Sequence, residues 1–333
     1  MDNHERPLMR LILVCALSVW TVNCESRNSN TKASKMNTRA DTIWSKITLH
    51  AGLDRDEVRS CQLEAGCIQQ VSTQWNLTGI AAQKDAVDDL ADLGRQWVEP
   101  NAGVPGHFGP FLVDESIVAT LVAVLAKSTD REFLDAVTKV LAKRTPDSLV
   151  RNHTAVLESA LAHRQDLHWK GLLIGKLGSQ RGLRAIQDSK SYLEGNPREA
   201  VAVLGKLGRK DAEAKLIDAY LKEKDGTQKE ALAELMGYMG TPKALNTLAA
   251  DLRTPFTYAW NQMAQRSFRI HVIQALSLAF PFEPLLWVPF YRPTGDAYYE
   301  QIENWAVNTL GVAFTRPRPP FLYQEEAPMM RPR

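Results

Sequence analysis

Three segments share one five-residue signature: Ile174-Gly-Lys-Leu-Gly178, Leu204-Gly-Lys-Leu-Gly208 and Met236-Gly-Tyr-Met-Gly240, spaced about thirty residues apart. The agreement continues past the second glycine. Gly182, Ala212 and Ala244 lie four positions on, and Ile186, Leu216 and Leu248 eight positions on. Self-similarity at this period confines the chain to stacked supersecondary units, each of which buries its apolar face against its neighbours.

Each position has a mechanical meaning. Gly178, Gly208 and Gly240 fall where a first helix ends and a left-handed residue is least costly, so they are expected to terminate it. Thr241-Pro242 then supplies an N-cap and a proline at the first position of a second helix. The small residue and the aliphatic four positions later share one face of that second helix. Gly175, Gly205 and Gly237 lie inside the first helix, at a cost of roughly 1 kcal/mol relative to alanine, which close approach of a neighbouring helix would offset.

On these residues the chain resembles the HEAT-like family, in the short variety of phycobilisome-lyase-type repeats. Their Leu-Gly-x-Leu-Gly turn is followed by a small residue and a leucine. The resemblance is clearest over residues 168–252 and implies an all-α fold, an α-solenoid of about five or six antiparallel helix pairs. It specifies fold far more than function.

Weaker copies extend the array over residues 42–315. Leu90-Ala-Asp-Leu-Gly94 repeats the first half, with Val87, Leu90, Gly94 and Trp97 at helical spacing, before a Pro/Gly loop over 99–112. Asp114 is expected to cap a helix through Lys127, and Thr129-Asp-Arg-Glu132 forms a capping box for another through Lys143. Two further helices are expected over 147–163 and 165–177, and an amphipathic one over 265–280 before Pro281. Residues 253–263 and 281–293 set Phe256, Tyr258, Trp260, Phe282, Trp287, Phe290 and Tyr291 among prolines that forbid long helices. They are either a cap over the last repeat or a recognition surface. Residues 316–333 form a Pro/Arg-rich tail, expected to be extended or disordered.

The N-terminus carries an address. Arg6 and Arg10 precede a 12-residue apolar run, Leu11 to Val22. That is signal-peptide length rather than the roughly 20 residues of a membrane-spanning helix. Residues 1–23 are therefore expected to be a signal peptide. Cys24 stands where bacterial lipoproteins carry their acylated cysteine, and residues 24–41 are polar enough to form a flexible tether. Lipidation at Cys24 and plain secretion with cleavage nearby both remain open. In the mature body Cys61 and Cys67 form a disulfide or stay as two buried thiols. A spacing of six cannot close within one straight helix, but Gly66 could turn the chain back.

Catalytic signals are thin. His153, Glu158, His163 and His168 lack the spacing that puts two ligands on one helical face, which favours surface histidines over a metal site. Asp85, Asp88, Asp89 and Asp92 are expected to be a solvated face. No phosphate-binding loop or nucleophile elbow is present in the sequence. Cations recur near the repeat turns: Lys176, Arg181 and Arg184, then Lys206, Arg209, Lys210 and Lys215. They either sit favourably at helix C-termini or build a positive ridge for an acidic partner. A net charge of +2 gives no general pull toward nucleic acid.

These features together predict a non-enzymatic exported scaffold in the bacterial cell envelope. Its partner would be another protein, with contacts among Phe256, Tyr258, Trp260, Trp287, Tyr291, Arg181, Arg184, Arg209 and Lys210. No cofactor and no nucleic acid are expected, and any membrane contact would run through a lipid on Cys24. The repeat resemblance leaves a chromophore-lyase-like enzyme as a rival, and an envelope spacer is another.

Overall fold

The computed structural model describes residues 38–49, 51–78, 84–99, 106–164, 168–253, 262–287 and 296–318. Among them the fold is predominantly helical, with seventeen α-helices and one two-stranded hairpin. The leader, Cys24, Phe256, Tyr258, Trp260, Phe290 and Tyr291 lie outside the described residues.

Helix α1 (Thr38–Leu49) begins inside the stretch read as tether and buries Ala40, Ile43 and Ile47, whose spacing puts them on one face. Helix α2 (Arg55–Leu63) starts at a capping box. Asp54 accepts from the Glu57 amide at 2.8 Å, and the Glu57 carboxylate accepts from the Asp54 amide at 3.1 Å. Gly66, at φ 83°, then turns the chain into α3 (Cys67–Thr78), and a disulfide joins Cys61 to Cys67 with their Cα atoms 5.4 Å apart.

Helix α4 (Lys84–Leu93) ends at Gly94, and there the expected pattern breaks. Strand β1 (Arg95–Val98) pairs antiparallel with β2 (His107–Leu112), Trp97 facing Phe108, so Trp97 is on a strand and part of the expected loop is a hairpin. With this one short hairpin the described fold stays consistent with the all-α expectation. Valine and the aromatics in these strands suit a pleated, half-buried surface. Gly106 and Gly109 let the Trp97 and Trp287 rings lie against the backbone, where any Cβ would collide with them.

Helix α5 (Glu115–Lys127) is capped by Asp114, which accepts from the Ile117 amide at 3.0 Å. The cap of α6 (Arg131–Lys143) is Asp130, not Thr129. Its carboxylate accepts from the Phe133 amide at 2.9 Å, one position later than the capping-box reading. The helix expected over 147–163 is two, α7 (Asp147–Arg151) and α8 (Thr154–Ala162). At the break, Asn152 donates to Glu115 and the Thr154 hydroxyl to the Arg151 carbonyl, at 3.0 and 2.8 Å. Such side-chain bonds compete with helix continuation.

The repeats follow. Helix α9 (Lys170–Leu177) starts five residues later than expected and leads to α10 (Gln180–Asp188) and the short α11 (Lys190–Gly195). Then come α12 (Pro197–Lys206), α13 (Lys210–Lys222), α14 (Gly226–Met239) and α15 (Pro242–Ala250). Gly178, Gly208 and Gly240 all adopt positive φ, at 69°, 94° and 68°. The chain ends its described course with α16 (Gln262–Ala279), a 3₁₀ turn at Pro284–Leu286, and α17 (Asp296–Leu310).

Helices α4, α6, α9, α12, α14 and α16 pack one against the next, while α13, α15 and α17 follow each other on a second row. The helical glycines make the first row close. A Cβ on Gly175 would meet the Tyr238 hydroxyl, one on Gly205 the Met239 sulfur, and one on Gly237 the backbone carbonyl of Ala275 in α16. At the far end Glu303, almost fully buried, receives Arg253 at 2.6 Å and Arg318 at 2.9 Å. Burial alone would raise the Glu303 pKa, but these two guanidinium groups hold it below the usual range. Arg316 and Arg318, read as the start of a free tail, are thus tied to the body: the Arg316 carbonyl accepts from Arg253 at 3.1 Å.

Gly237→Ala is expected to lower stability by roughly 1–3 kcal/mol in urea denaturation, because backbone cannot yield to the new methyl as a side chain would. Gly195→Ala, whose Cβ would meet nothing within 4 Å, is expected to be neutral or mildly stabilising. Equal responses from the two would remove the close-approach argument.

Candidate functional site

A groove of about 880 Å³ lies between the hairpin and the α14–α16 pair. Its floor is apolar: Phe108 and Phe111 from β2, Leu278 from α16, and Leu286 and Trp287 from the turn after it. Trp287 is only 4% exposed and lies across Gly109. The C-terminal segment therefore closes against the N-terminal hairpin at this point. Trp287, expected in either a cap or a recognition surface, lies in the floor of this groove, where glycine in β2 gives the indole a flat seat.

Charged side chains ring this floor, and most are paired. Asp92, at the end of α4, accepts from Arg144 and from Arg95, the latter at 3.4 Å, while Arg144 also reaches Asp88 at 3.3 Å. Asp88 and Asp92 are therefore cross-links to the end of α6 and to β1 rather than members of a wholly solvated face. Arg95 further donates to the Gly109 and Phe108 carbonyls at 2.6 and 3.2 Å. Lys143 pairs with Glu234 at 2.5 Å and His271 with Glu230 at 3.4 Å. Arg55 differs. It donates to the Gly106 carbonyl and lies 4.9 Å from the Trp97 ring centre, with Arg59 at the same distance from that ring. No carboxylate among the described residues forms an ion pair with Arg55.

Beside the groove lies a buried ionic knot. Lys176 and Lys206 occupy the same position of successive repeats, between the two glycines, and both turn toward Asp147 at the start of α7, at 3.7 and 2.6 Å. Lys206 also donates to the Tyr238 carbonyl at 2.8 Å, and Arg151 to the Lys176 carbonyl at 3.0 Å. Lys176 donates to the Thr145 carbonyl. Cations from one helix thus satisfy carbonyls left open at the ends of others. Tyr238, which takes the lysine position in the third repeat, donates to the Leu172 carbonyl at 2.6 Å, and burial raises its pKa well above the ordinary phenol value. Burial lowers the Lys176 pKa to about 8 against the pull of Asp147, with Lys206 adding to the decrease.

The cations read as one series thus divide. Lys176 and Lys206 are internal cross-links. Arg181 and Arg184 are exposed on α10, Lys210 is exposed and pairs with Glu213 at 3.3 Å, and Arg209 pairs with Asp211 at 2.9 Å. They are not gathered at the groove. His163 and His168 are exposed, and no group of three or more metal-ligating side chains occurs among the described residues. The groove residues Arg55, Arg95, Phe108, Phe111 and Arg144 went unmarked in the sequence, where they are scattered over some ninety positions. Their one local signal is the pair of phenylalanines, Phe108 and Phe111, around Gly109.

No protein-family model, curated protein or solved structure matches the chain.

The Lys176 shift carries a pH signature. A lysine whose folded-state pKa is about 8, against 10.5 when free, binds fewer protons folded than unfolded between those values, so stability rises with pH across that window. Unfolding free energies measured at pH 7.5 and 9.5 are expected to rise by about 2 kcal/mol more in the parent than in Lys176→Met. Parallel pH curves would place Lys176 in solvent.

Proposed function

We propose that the chain is a HEAT-like α-solenoid of five or six helix pairs that acts as a non-enzymatic, protein-binding scaffold in the bacterial cell envelope. The observation that carries this reading is the groove: an apolar floor of about 880 Å³ with a charged rim, a size suited to an extended partner segment. The succession of α4, α6, α9, α12, α14 and α16 supports the superhelical part, since α14, the fifth helix of that row, comes back to α6 through Lys143 and Glu234. A scaffold is favoured over an enzyme by the state of the ionisable groups. Asp147, Lys176, Lys206, Asp92 and Arg144 are each committed to intramolecular bonds that cross-link helices. Export is supported by the charged start and apolar run, and by the Cys61–Cys67 disulfide, a bond that persists in oxidising compartments.

Two measurements test this. A photo-crosslinking residue at Phe108 is expected to yield a discrete partner adduct in cells of the source organism, while the same residue at exposed Leu221 is expected to yield none. Equal labelling at both positions would sink the groove as the binding face. Mass spectrometry of the mature N-terminus is expected to find a chain starting at an acylated Cys24 or at a nearby unmodified residue. An intact Met1 would overturn export.

A further inference from the structure

The groove's charges specify what enters it. Asp92 is shared by Arg95 and Arg144 and Glu234 is taken by Lys143, while Glu230 stands 3.4 Å from the His271 imidazole, an ionic pair only when that ring is protonated. Arg55 stands outside this pairing. The Gly106 carbonyl and the Trp97 ring hold its guanidinium in place without neutralising it. A positioned guanidinium without a counter-charge is a preformed carboxylate fork.

We propose that the groove takes an extended acidic peptide segment of a partner protein, with one carboxylate on Arg55 and an adjacent apolar side chain against Phe108 and Leu278. This rests on the reading of the groove as the partner-binding face. A peptide fits better than a nucleic acid strand. Among the described residues Arg55 is the one arginine or lysine of the rim without a carboxylate partner; a repeating polyanion needs a row of such cations, whereas one matches a single carboxylate flanked by neutral residues.

The test is selection of a displayed random dodecapeptide library on the full chain, followed by fluorescence anisotropy with the enriched peptides. Enriched peptides are expected to share one Asp or Glu within two residues of an aliphatic or aromatic side chain. Changing that acid to its amide is expected to weaken binding by about tenfold or more. Arg55→Gln is expected to bind acid and amide forms alike, and Arg55→Glu to favour a basic replacement. Thermal melts confirm that each variant is folded.

Peptides that compete for the groove but share no acid, or that bind Arg55→Gln as tightly as the parent, would overturn the acidic specificity while leaving the groove as a binding face. A single-stranded dodecanucleotide that binds more tightly than the peptides, and in an Arg55-dependent way, would also overturn it. Failure to enrich any peptide displaced by Phe108→Asp would remove the binding face itself.

Discussion

The fold depends on how closely its first-row helices approach one another, and that approach is set by glycine. At Gly237 the backbone of α14 comes against the Ala275 carbonyl of α16 with no room for a methyl group. Gly205 and Gly175 do the same against Met239 and Tyr238. A residue that weakens an isolated helix becomes favourable once the neighbour's backbone or side chain occupies the space its Cβ would need. Moving these helices apart would open cavities under Leu173, Val203, Met236 and Leu276, all fully buried, and large-to-small defects in such cores are costly.

Close stacking also decides where charge can go. Because Lys176 and Lys206 sit between the two glycines of their repeats, they are carried into the interior of the row, where a bare ammonium would be strongly unfavourable. Asp147 resolves this from outside the clear repeats, joining two of them to α7. The compensation is incomplete, two cations to one carboxylate, and the lowered Lys176 pKa is its physical expression. The same logic recurs where Lys229 meets Asp251 at 3.4 Å beside Tyr220, and where Glu303 gathers Arg253 and Arg318. Buried pairs of this kind add little net stability over apolar packing, but they penalise any misregistered stacking that would leave one partner alone.

The groove arises from the meeting of unlike parts. The hairpin is an irregularity in a helical chain, and Trp287 belongs to a proline-rich break after α16, yet the two fit through Gly109. A regular stack would present a smooth face there. The break in the pattern is what produces an apolar floor, and the ends of α4 and α6 bring the arginines that rim it.

Much of the local structure was legible in the chain. The five-residue signature located the helix ends at Gly178, Gly208 and Gly240, and Asp114, Thr241 and Pro242 marked helix starts, because caps and left-handed turns depend on a few adjacent residues. The helical reading of Trp97 and the capping role given to Thr129 missed for the same reason in reverse: spacing alone does not show which of two neighbouring side chains reaches the open amide, or that Phe108 lies opposite Trp97 on a second strand. The site belongs to another level. That Lys176 faces Asp147 while Arg184 is exposed, that Trp287 lines the groove, and that Arg55 has no carboxylate partner among the described residues follow from contacts between residues tens to hundreds of positions apart. Helical period and turn chemistry are written within a few neighbouring residues, whereas burial and charge pairing are properties of the assembled stack, and only tertiary structure decides them.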